Sequence, residues 1–310
     1  MTTAADPVRA IADAVLYEGY ILWPYRRSAL KNQRRFTFGG VFPPTHSNAH
    51  PDDRCTVQTE VLVRGDGPVR VTVRFLHVVA RTVLGPDDEP VDERVVDGER
   101  LVSWEEAVER EVAAPGPISV AAGSERDGCV MRSWEALSGR TEVGCAPAGA
   151  PGVRKLSVTV RNVTALPAGA LRQQALTRTM CSTHVLLRAV PGDEFVSLTD
   201  PPPELATAAA GCRNEGLWPV LVGEAGTRDA MLASPIILED HPRIAPESPG
   251  DLFDGGEIDQ LLTLNVLALT DAERAEMAAS DPRAREILER TEALTSEQLM
   301  ALHGVGRVCS

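Results

Sequence analysis

Two valine-rich runs on either side of a short turn are the feature that most constrains the fold. The runs cover residues 57–63 and 69–79, and residues 64–68 between them read Arg-Gly-Asp-Gly-Pro. Glycine and proline at such positions are typical of a tight turn, and β-branched residues favour strands. In the second run, every second side chain from Val71 to His77 lies on one face. We therefore predict an antiparallel hairpin here.

Further strands are indicated along the middle of the chain. Residues 156–160 alternate apolar and polar side chains, which is the clearest pattern of a half-buried strand. Residues 101–112 fit a helix and a strand equally, and residues 144–152, rich in Gly, Ala and Pro, indicate a mobile loop. A helix running into a strand is predicted over residues 171–187. The other predicted strands cover residues 118–122, 129–137, 194–198, 218–222 and 235–238.

Helices are predicted at both ends of the chain. Asp6 and Pro7 fit the N-cap and the first position of a short helix. After residue 254, polar N-cap residues recur, followed by Glu or Gln at the third helical position or by proline at the first. These pairs are Asp254 and Glu257, Thr270 and Glu273, Thr295 and Gln298, and Asp281 and Pro282. Four helices are expected between residues 255 and 303.

The predicted fold class is α+β. An antiparallel β-rich body, sandwich-like or barrel-like, is expected over residues 1–240, with a possible sub-boundary near residue 165. A proline-stiffened loop and the C-terminal helices are expected over residues 241–310. The alternative is a pair of independent β domains joined near residue 165.

Composition limits the classes of protein to which the chain can belong. Aromatic residues make up 4% of its 310 residues, so Val, Leu and Ala must fill most of the core. The formal net charge of −13 argues against binding to nucleic acid or to an anionic membrane surface, since both need a basic surface. The start of the chain lacks the features of a signal peptide, and no apolar stretch is long enough to cross a membrane. A cytoplasmic protein with reduced cysteines and no membrane insertion is expected.

An aromatic and basic island over residues 17–42 differs from the rest of this acidic chain. It holds all three tyrosines, and five basic residues against one acidic residue. Tyr and Arg are enriched at interface hot spots, so the island is a candidate binding site for an anion or a partner protein. The alternative is that its aromatic residues are core and its arginines are solvated. The candidate residues are Tyr20, Tyr25, Arg26, Lys31, Asn32 and Arg34.

Two loops beside predicted strands form a second candidate site. Residues 212–219 place a cysteine, an amide, a glycine and a tryptophan before a strand, and loops in this position often carry sites. Residues 240–254 crowd polar side chains between prolines that restrict the backbone. The alternative is a structural turn and a rigid connector. The candidate residues are Cys212, Asn214, Trp218, Asp240, His241, Glu247 and Asp251.

Two further patterns involve cysteine and histidine. His46, His50 and Cys55 are residue types that bind metals such as nickel. The histidine spacing brings the two rings together only in a helix, and the nearby prolines argue against a helix, so a solvated loop is the alternative. Cys181 and His184 are the residue types of a thiolate nucleophile and its base, with a buried thiol as the alternative. The sequence contains no motif for a nucleotide, zinc, iron–sulfur or acyl-transfer site, and it assigns no cofactor.

Several segments from both halves of the chain form a recognisable set. They include residues 15–20, Pro24-Tyr25-Arg26, Lys31-Asn32, Phe38-Gly39-Gly40, Cys212-Arg213-Asn214, Trp218-Pro219-Val220-Leu221, residues 234–238, Asp240-His241-Pro242 and residues 245–259. As a set they resemble an uncharacterised family of bacterial proteins encoded beside nickel–iron hydrogenase genes. The resemblance covers most of the chain, and family members usually continue past the equivalent of Gly304 into another small β-rich domain. It implies an accessory or assembly role, with a hydrogenase subunit or maturation factor as the protein partner.

Three functions remain open at this point. The first is a hydrogenase accessory or assembly protein that acts by protein–protein binding. The second is an enzyme or cofactor-handling protein whose site combines residues 212–218 with residues 240–254. The third is a metal carrier, with nickel as the metal.

Overall fold

The computed structural model describes residues 6–17, 36, 38–243 and 263–295 of the chain. Two antiparallel sheets form a β-rich body, and helices follow towards the C-terminal end, which confirms the predicted α+β class. The smaller sheet has the order β13 (Glu194–Val196), β1 (Thr56–Arg64), β11 (Val153–Asn162), β10 (Leu137–Pro147) and β7 (Gly116–Val120). The larger sheet has the order β14 (Trp218–Leu221), β15 (Ala230–Ser234), β12 (Cys181–Ala189), β2 (Val69–Leu84), β9 (Val130–Trp134) and β8 (Gly123–Asp127).

The remaining elements attach to this frame. Strands β3 (Pro90–Val91) and β6 (Trp104–Ala114) also pair with β2, while β4 (Glu93–Val96) and β5 (Glu99–Val102) form a separate hairpin. The described helices are α1 (Pro7–Leu16), α2 (Pro44–Ala49), α3 (Arg172–Leu176), α4 (Ala206–Ala210), α5 (Asp271–Ser280) and α6 (Pro282–Glu292). A 3-10 turn precedes α4 at Pro203–Leu205, and residues 263–267 are helical. None of the described helices combines the length and apolar character that crossing a membrane requires.

Strands β1 and β2 do not pair with each other, so the predicted hairpin is wrong. β1 pairs with β11 and β13 in the smaller sheet, whereas β2 pairs with β12, β6 and β9 in the larger sheet. The turn between them is a corner that Asp193 holds: its carboxylate accepts hydrogen bonds from the Gly67 amide at 2.8 Å and from Arg154. Turn residues specify where the chain bends, but the pairing partner of each strand depends on which faces become buried.

The main core lies between the two sheets. Inward-facing residues of β1 and β11 meet those of β2 and β12, with Val61, Val158, Val73 and Leu187 all fully buried. Phe75 and Phe195 are the aromatic members of this cluster, and its other described members are aliphatic residues or methionine. Each fully buried Val or Leu side chain contributes about 1.5–3 kcal/mol, so the layer is stable without many aromatic rings. Strands from before and after residue 165 occur in both sheets.

Helix α1 covers part of the outer face of the larger sheet. Asp6 is its N-cap and accepts a hydrogen bond from the Val8 amide at 3.1 Å, and Pro7 occupies the first turn, as predicted. The buried side of the helix, which includes Ile11 and Val15, packs against β12, β14 and β15. The N-terminal helix therefore shields the sheet on the side that faces away from the main core.

The C-terminal helices cover a neighbouring part of the same outer face. Thr270 and Glu273 form the predicted capping box of α5, and Asp281 with Pro282 starts α6. Met277 and Ile287 pack in one apolar cluster with Leu76 and Val78 of β2. The predicted caps at residues 254–257 and 295–298 involve positions outside the described residues.

The structure resolves one ambiguity and corrects two local predictions. The ambiguous residues 101–112 belong to strands β5 and β6, and β6 pairs with β2 over eleven positions despite its helix-favouring glutamates. The predicted mobile loop at 144–152 is wrong in its first part, because β10 continues to Pro147 opposite Arg154. The strand predicted at 235–238 lies earlier, at Ala230–Ser234, because these residues are opposite both β12 and β14.

Replacing Asp193 with alanine tests the corner between the sheets. We expect the free energy of unfolding to fall by about 1–3 kcal/mol, because the Gly67 amide loses its acceptor and the Arg154 guanidinium loses its carboxylate partner. Urea unfolding followed by circular dichroism measures this change. Asp66→Ala, at an exposed position of the same turn, is the control and should stay within about 0.5 kcal/mol of the native protein. Equal effects of the two substitutions would contradict the proposed role of Asp193.

Candidate functional site

The six candidate residues of the aromatic–basic island lie outside the described residues, as do Glu247 and Asp251. Their assignment to a site stays a prediction. The described ends of the island are Tyr17 at the end of α1 and residues 36 and 38–42. Phe36 and Phe42 are buried in the cluster below the C-terminal helices, so these two aromatic residues belong to the core.

The other candidate residues collect around strand β14. We use the name β14 region for residues 38–40, 212–221 and 230–243. Within it, β14 pairs with β15, so that Trp218 lies opposite Ser234. Gly39 lies against Pro235 so closely that a Cβ atom would overlap the proline ring, and its φ of +56° also favours glycine. Segments that are far apart in the chain therefore meet here.

Asn214 ties the first candidate loop to strand β1. Its side-chain oxygen accepts hydrogen bonds from the Thr59 hydroxyl at 2.8 Å and from the Glu60 amide at 3.0 Å. The backbones of Gln58 and Glu215 exchange two further hydrogen bonds of 2.9 Å. Residues 214–216 are therefore fastened to β1, with an isolated bridge between Gln58 and Gly216, and Asn214 is a structural anchor in this arrangement.

Cys212 is held in an apolar environment. It packs against a small cluster that includes Leu62 and Val196, and its thiol donates to the Ala208 carbonyl at 3.6 Å. Burial, with a further effect from the Glu60 carboxylate, raises the pKa of the Cys212 thiol to about 11. The thiol is consequently protonated at neutral pH, which makes it a weak nucleophile and a weak metal ligand.

Asp240 closes the exposed edge of β14. Its carboxylate accepts hydrogen bonds from the hydroxyls of Ser197 and Thr199 and from the Leu221 amide, the last at 2.8 Å. The His241 amide in turn donates to the Leu221 carbonyl at 2.7 Å. Both polar backbone groups of Leu221 are thus satisfied, so this end of the strand cannot recruit another strand.

His241 is held in an unusual conformation. Its φ is +55°, in the left-handed region that side-chain-bearing residues rarely adopt. Its Nδ1 atom is buried and has no hydrogen-bond partner among the described residues. Backbone strain of this kind occurs preferentially at ligand-binding and active sites, so His241 is the polar residue of the β14 region that best fits a binding role.

Apolar side chains in the β14 region reach solvent. Phe38 is 44% exposed, Trp218 is 39% exposed and Ile237 is 74% exposed. Trp218 lies on the edge strand, while Phe38 and Ile237 lie one and two residues from the Gly39–Pro235 contact. The region therefore exposes large apolar groups, a feature typical of surfaces that bind proteins.

His46 lies on a short helix and His50 is its C-cap residue, so the expectation that the nearby prolines exclude a helix is wrong. Pro43 and Pro44 occupy the N-cap and the first position of α2, where proline is compatible with a helix. The rings of His46 and His50 are 4.5 Å apart between centroids. His46 is buried and its Nε2 lies 2.9 Å from the Asp53 carboxylate. Across the part of the chain that the structure describes, no group of three or more His, Cys, Asp or Glu residues could hold a metal ion.

The pair Cys181 and His184 lies on β12, on either side of an irregularity in its pairing with β2. Burial raises the pKa of the Cys181 thiol to about 12. Burial also lowers the pKa of His184 to about 4, although a hydrogen-bond contact to the Ser182 carbonyl opposes this effect. A protonated thiol and a weakly basic imidazole do not form an activated nucleophile, so the buried-thiol alternative describes this pair.

Sequence reasoning missed a charged network below α1. Its centre is Arg74 of β2, which is 1% exposed and donates hydrogen bonds to Asp13 of α1 and to Glu109 of β6. Glu111 of β6 lies 3.5 Å from the Arg74 Nε atom. The available signals were an arginine at position 74, between Val73 and Phe75 in a valine-rich strand, and alternating glutamates in β6. Only the pairing of β2 with β6 brings them together.

Comparison with known proteins leaves the family open. The chain matches no protein-family model and no curated protein.

Two buried histidines predict how stability depends on pH. His77 and His184 are both 0% exposed, and the pKa of each is lowered to about 4, by burial first and by a nearby arginine as a further cause. Unfolding restores ordinary histidine pKa values, so the unfolded chain binds more protons than the folded chain between pH 6.5 and 4. The free energy of unfolding should therefore decrease as the pH is lowered through this window. At pH 5 the loss is roughly 2 kcal/mol per histidine relative to neutral pH.

Urea unfolding between pH 7 and pH 4.5 measures this effect. His77→Leu should remove about half of the histidine-dependent change between pH 6.5 and 5. His50→Gln, at an exposed position, is the matched control and should keep it. A pH dependence that is the same in both variants would show that the buried His77 does not cause it.

Proposed function

We propose that this protein is an accessory or assembly factor of a nickel–iron hydrogenase, which acts in the cytoplasm by binding a hydrogenase subunit or maturation factor. The observation that carries the proposal is the convergence of five resembling segments in the β14 region. These segments contain Gly39, Asn214, Trp218, Pro235 and His241. The family resemblance supports a hydrogenase as the associated enzyme, and the exposed side chains of the β14 region support protein binding as the mode of action.

The exposed side chains of the β14 region support binding to a protein. Single exposed apolar residues are common on protein surfaces. Here, however, Phe38, Trp218 and Ile237 belong to segments that pack together, and Trp is among the residues most enriched at interface hot spots. The neighbouring backbone is fixed by the hydrogen bonds of Asp240, so the surface loses little conformational entropy on binding.

The chemistry of the described candidate residues favours binding over catalysis. The Cys212 thiol is protonated at neutral pH because burial raises its pKa. The carboxylate of Asp240 already accepts three hydrogen bonds, which leaves it occupied in holding the loop. Asn214 is likewise engaged with β1. These three residues therefore support the shape of the surface.

Affinity purification of the tagged protein from hydrogenase-expressing cells tests the proposal. Mass spectrometry should identify hydrogenase subunits or maturation factors with the native protein. Ile237→Glu should reduce their recovery at least tenfold, since a charge would be buried in the interface. Leu171→Glu is the matched control, because Leu171 is 71% exposed and Ile237 is 74% exposed, and it should leave recovery unchanged.

Circular dichroism and thermal unfolding must first show that both variants fold as the native protein does. Absence of hydrogenase components from the purified material, although they are present in the lysate, would contradict the proposed function. If Ile237→Glu leaves the recovery of hydrogenase components unchanged, the β14 region is not the binding surface, although the association with the hydrogenase stands.

A further inference from the structure

The buried Arg74 requires negative partners from two directions. Its guanidinium group is almost completely removed from water, and an unpaired buried charge is strongly destabilising. β6 supplies Glu109 and Glu111 from within the sheet, and α1 supplies Asp13 from above. Glu111 also binds Arg9 of α1 at 3.0 Å. Docking of α1 on the sheet is therefore tied to the electrostatics of this site.

Glu109 connects the same network to the C-terminal helices. Its carboxylate accepts a hydrogen bond from the Tyr17 hydroxyl at 2.8 Å and from Arg74 at 3.1 Å. Arg283, in the first turn of α6, lies 3.6 Å from the same carboxylate. The Arg283 guanidinium carbon also lies 3.2 Å from the centroid of the Tyr17 ring, which is a cation–π contact. The end of α1 and the start of α6 thus share one carboxylate and one aromatic ring.

Apolar residues from the end of α1 and from α6 also lie in one buried cluster. Leu16 and Tyr17 from the end of α1 belong to one buried cluster with Ala284 and Ile287 of α6. Cys181 of β12, which is fully buried, belongs to that cluster as well. The end of α1 and the start of α6 therefore contribute to the same apolar cluster on the outer face of the larger sheet.

We propose that α1 and the C-terminal helices α5 and α6 form one cover, which docks on and releases from the outer face of the larger sheet as a single unit. The Tyr17–Glu109–Arg283 contact is the latch that couples the two ends of the chain. The main core between the sheets does not include these residues, so the cover can open while the sandwich stays folded. Release exposes Arg74, Cys181 and the apolar outer face. This device is independent of the proposed function.

Thiol labelling measures opening of the cover directly. Cys181 is fully buried below it, whereas Cys145 on β10 is exposed and serves as an internal reference. N-ethylmaleimide labelling under native conditions, resolved by peptide mass spectrometry, gives the rate at each position. Arg283→Met should raise the rate at Cys181 at least tenfold and leave the rate at Cys145 unchanged. Arg126→Met removes an exposed arginine that pairs with Asp88, and it is the control that should change neither rate.

A substitution on the other side of the latch tests the coupling itself. Asp13→Asn weakens the contact of α1 with Arg74 and involves no atom of α6. It should increase labelling of Cys181, and it should increase amide hydrogen exchange in α6 at least fivefold. Tyr17→Phe removes only one hydroxyl group and is the milder variant if Asp13→Asn does not fold.

Two results would overturn the proposal. Faster exchange confined to α1 in the Asp13→Asn and Tyr17→Phe variants would show that the helices open independently. If Cys181 of the native protein is labelled only at the rate at which amide hydrogens of β1 and β11 exchange, the cover opens only by global unfolding.

Discussion

Strand β2 imposes the constraint on which the other layers depend, because it is buried on both faces. Its sixteen residues pair with β12 and β9 on one side and with β6 and β3 on the other. Val73 and Phe75 point into the core between the sheets, while Leu76 and Val78 contact the apolar cluster below the C-terminal helices. A strand of this kind needs a second sheet on one face and helices on the other.

The position of Arg74 on this strand gives the outer layer its specificity. Apolar residues alone would allow the helices to dock in several orientations, whereas a buried guanidinium requires carboxylates at defined positions. Asp13 and Glu109 supply these carboxylates, and Glu109 also forms an ion pair with Arg283 of α6. The N-terminal helix and the C-terminal helices are consequently positioned by one charged centre, although their sequences are separated by the whole β-rich body.

Local signals in the sequence predicted the elements whose structure depends on nearby residues. The caps at Asp6, Thr270 and Asp281 are correct because a side chain satisfies amides only two or three residues away. The strand at residues 156–160 is correct because its alternating side chains report burial of one face.

Predictions failed where distant partners decide the outcome. The turn at residues 64–68 was recognised, but its role as a corner depends on Asp193 and Arg154. The glutamates of β6 locally favour a helix, but pairing with β2 makes this segment a strand. The sequence singles out Cys212 and Asn214 as candidate site residues, yet only the packing shows that one is a partly buried thiol and the other an anchor. No local pattern indicates that Gly39 meets Pro235 or that His241 is strained.

The central claim is that the β14 region contacts a hydrogenase component, and site-specific photo-crosslinking in living cells tests it most directly. A photoreactive phenylalanine analogue is placed at Ile237 and, for comparison, at the equally exposed Leu171. Mass spectrometry then identifies the proteins that become covalently attached after illumination. Our account predicts that a hydrogenase subunit or maturation factor is captured from position 237 and not from position 171. Capture of the same proteins from both positions, or of no hydrogenase component from position 237, would contradict it.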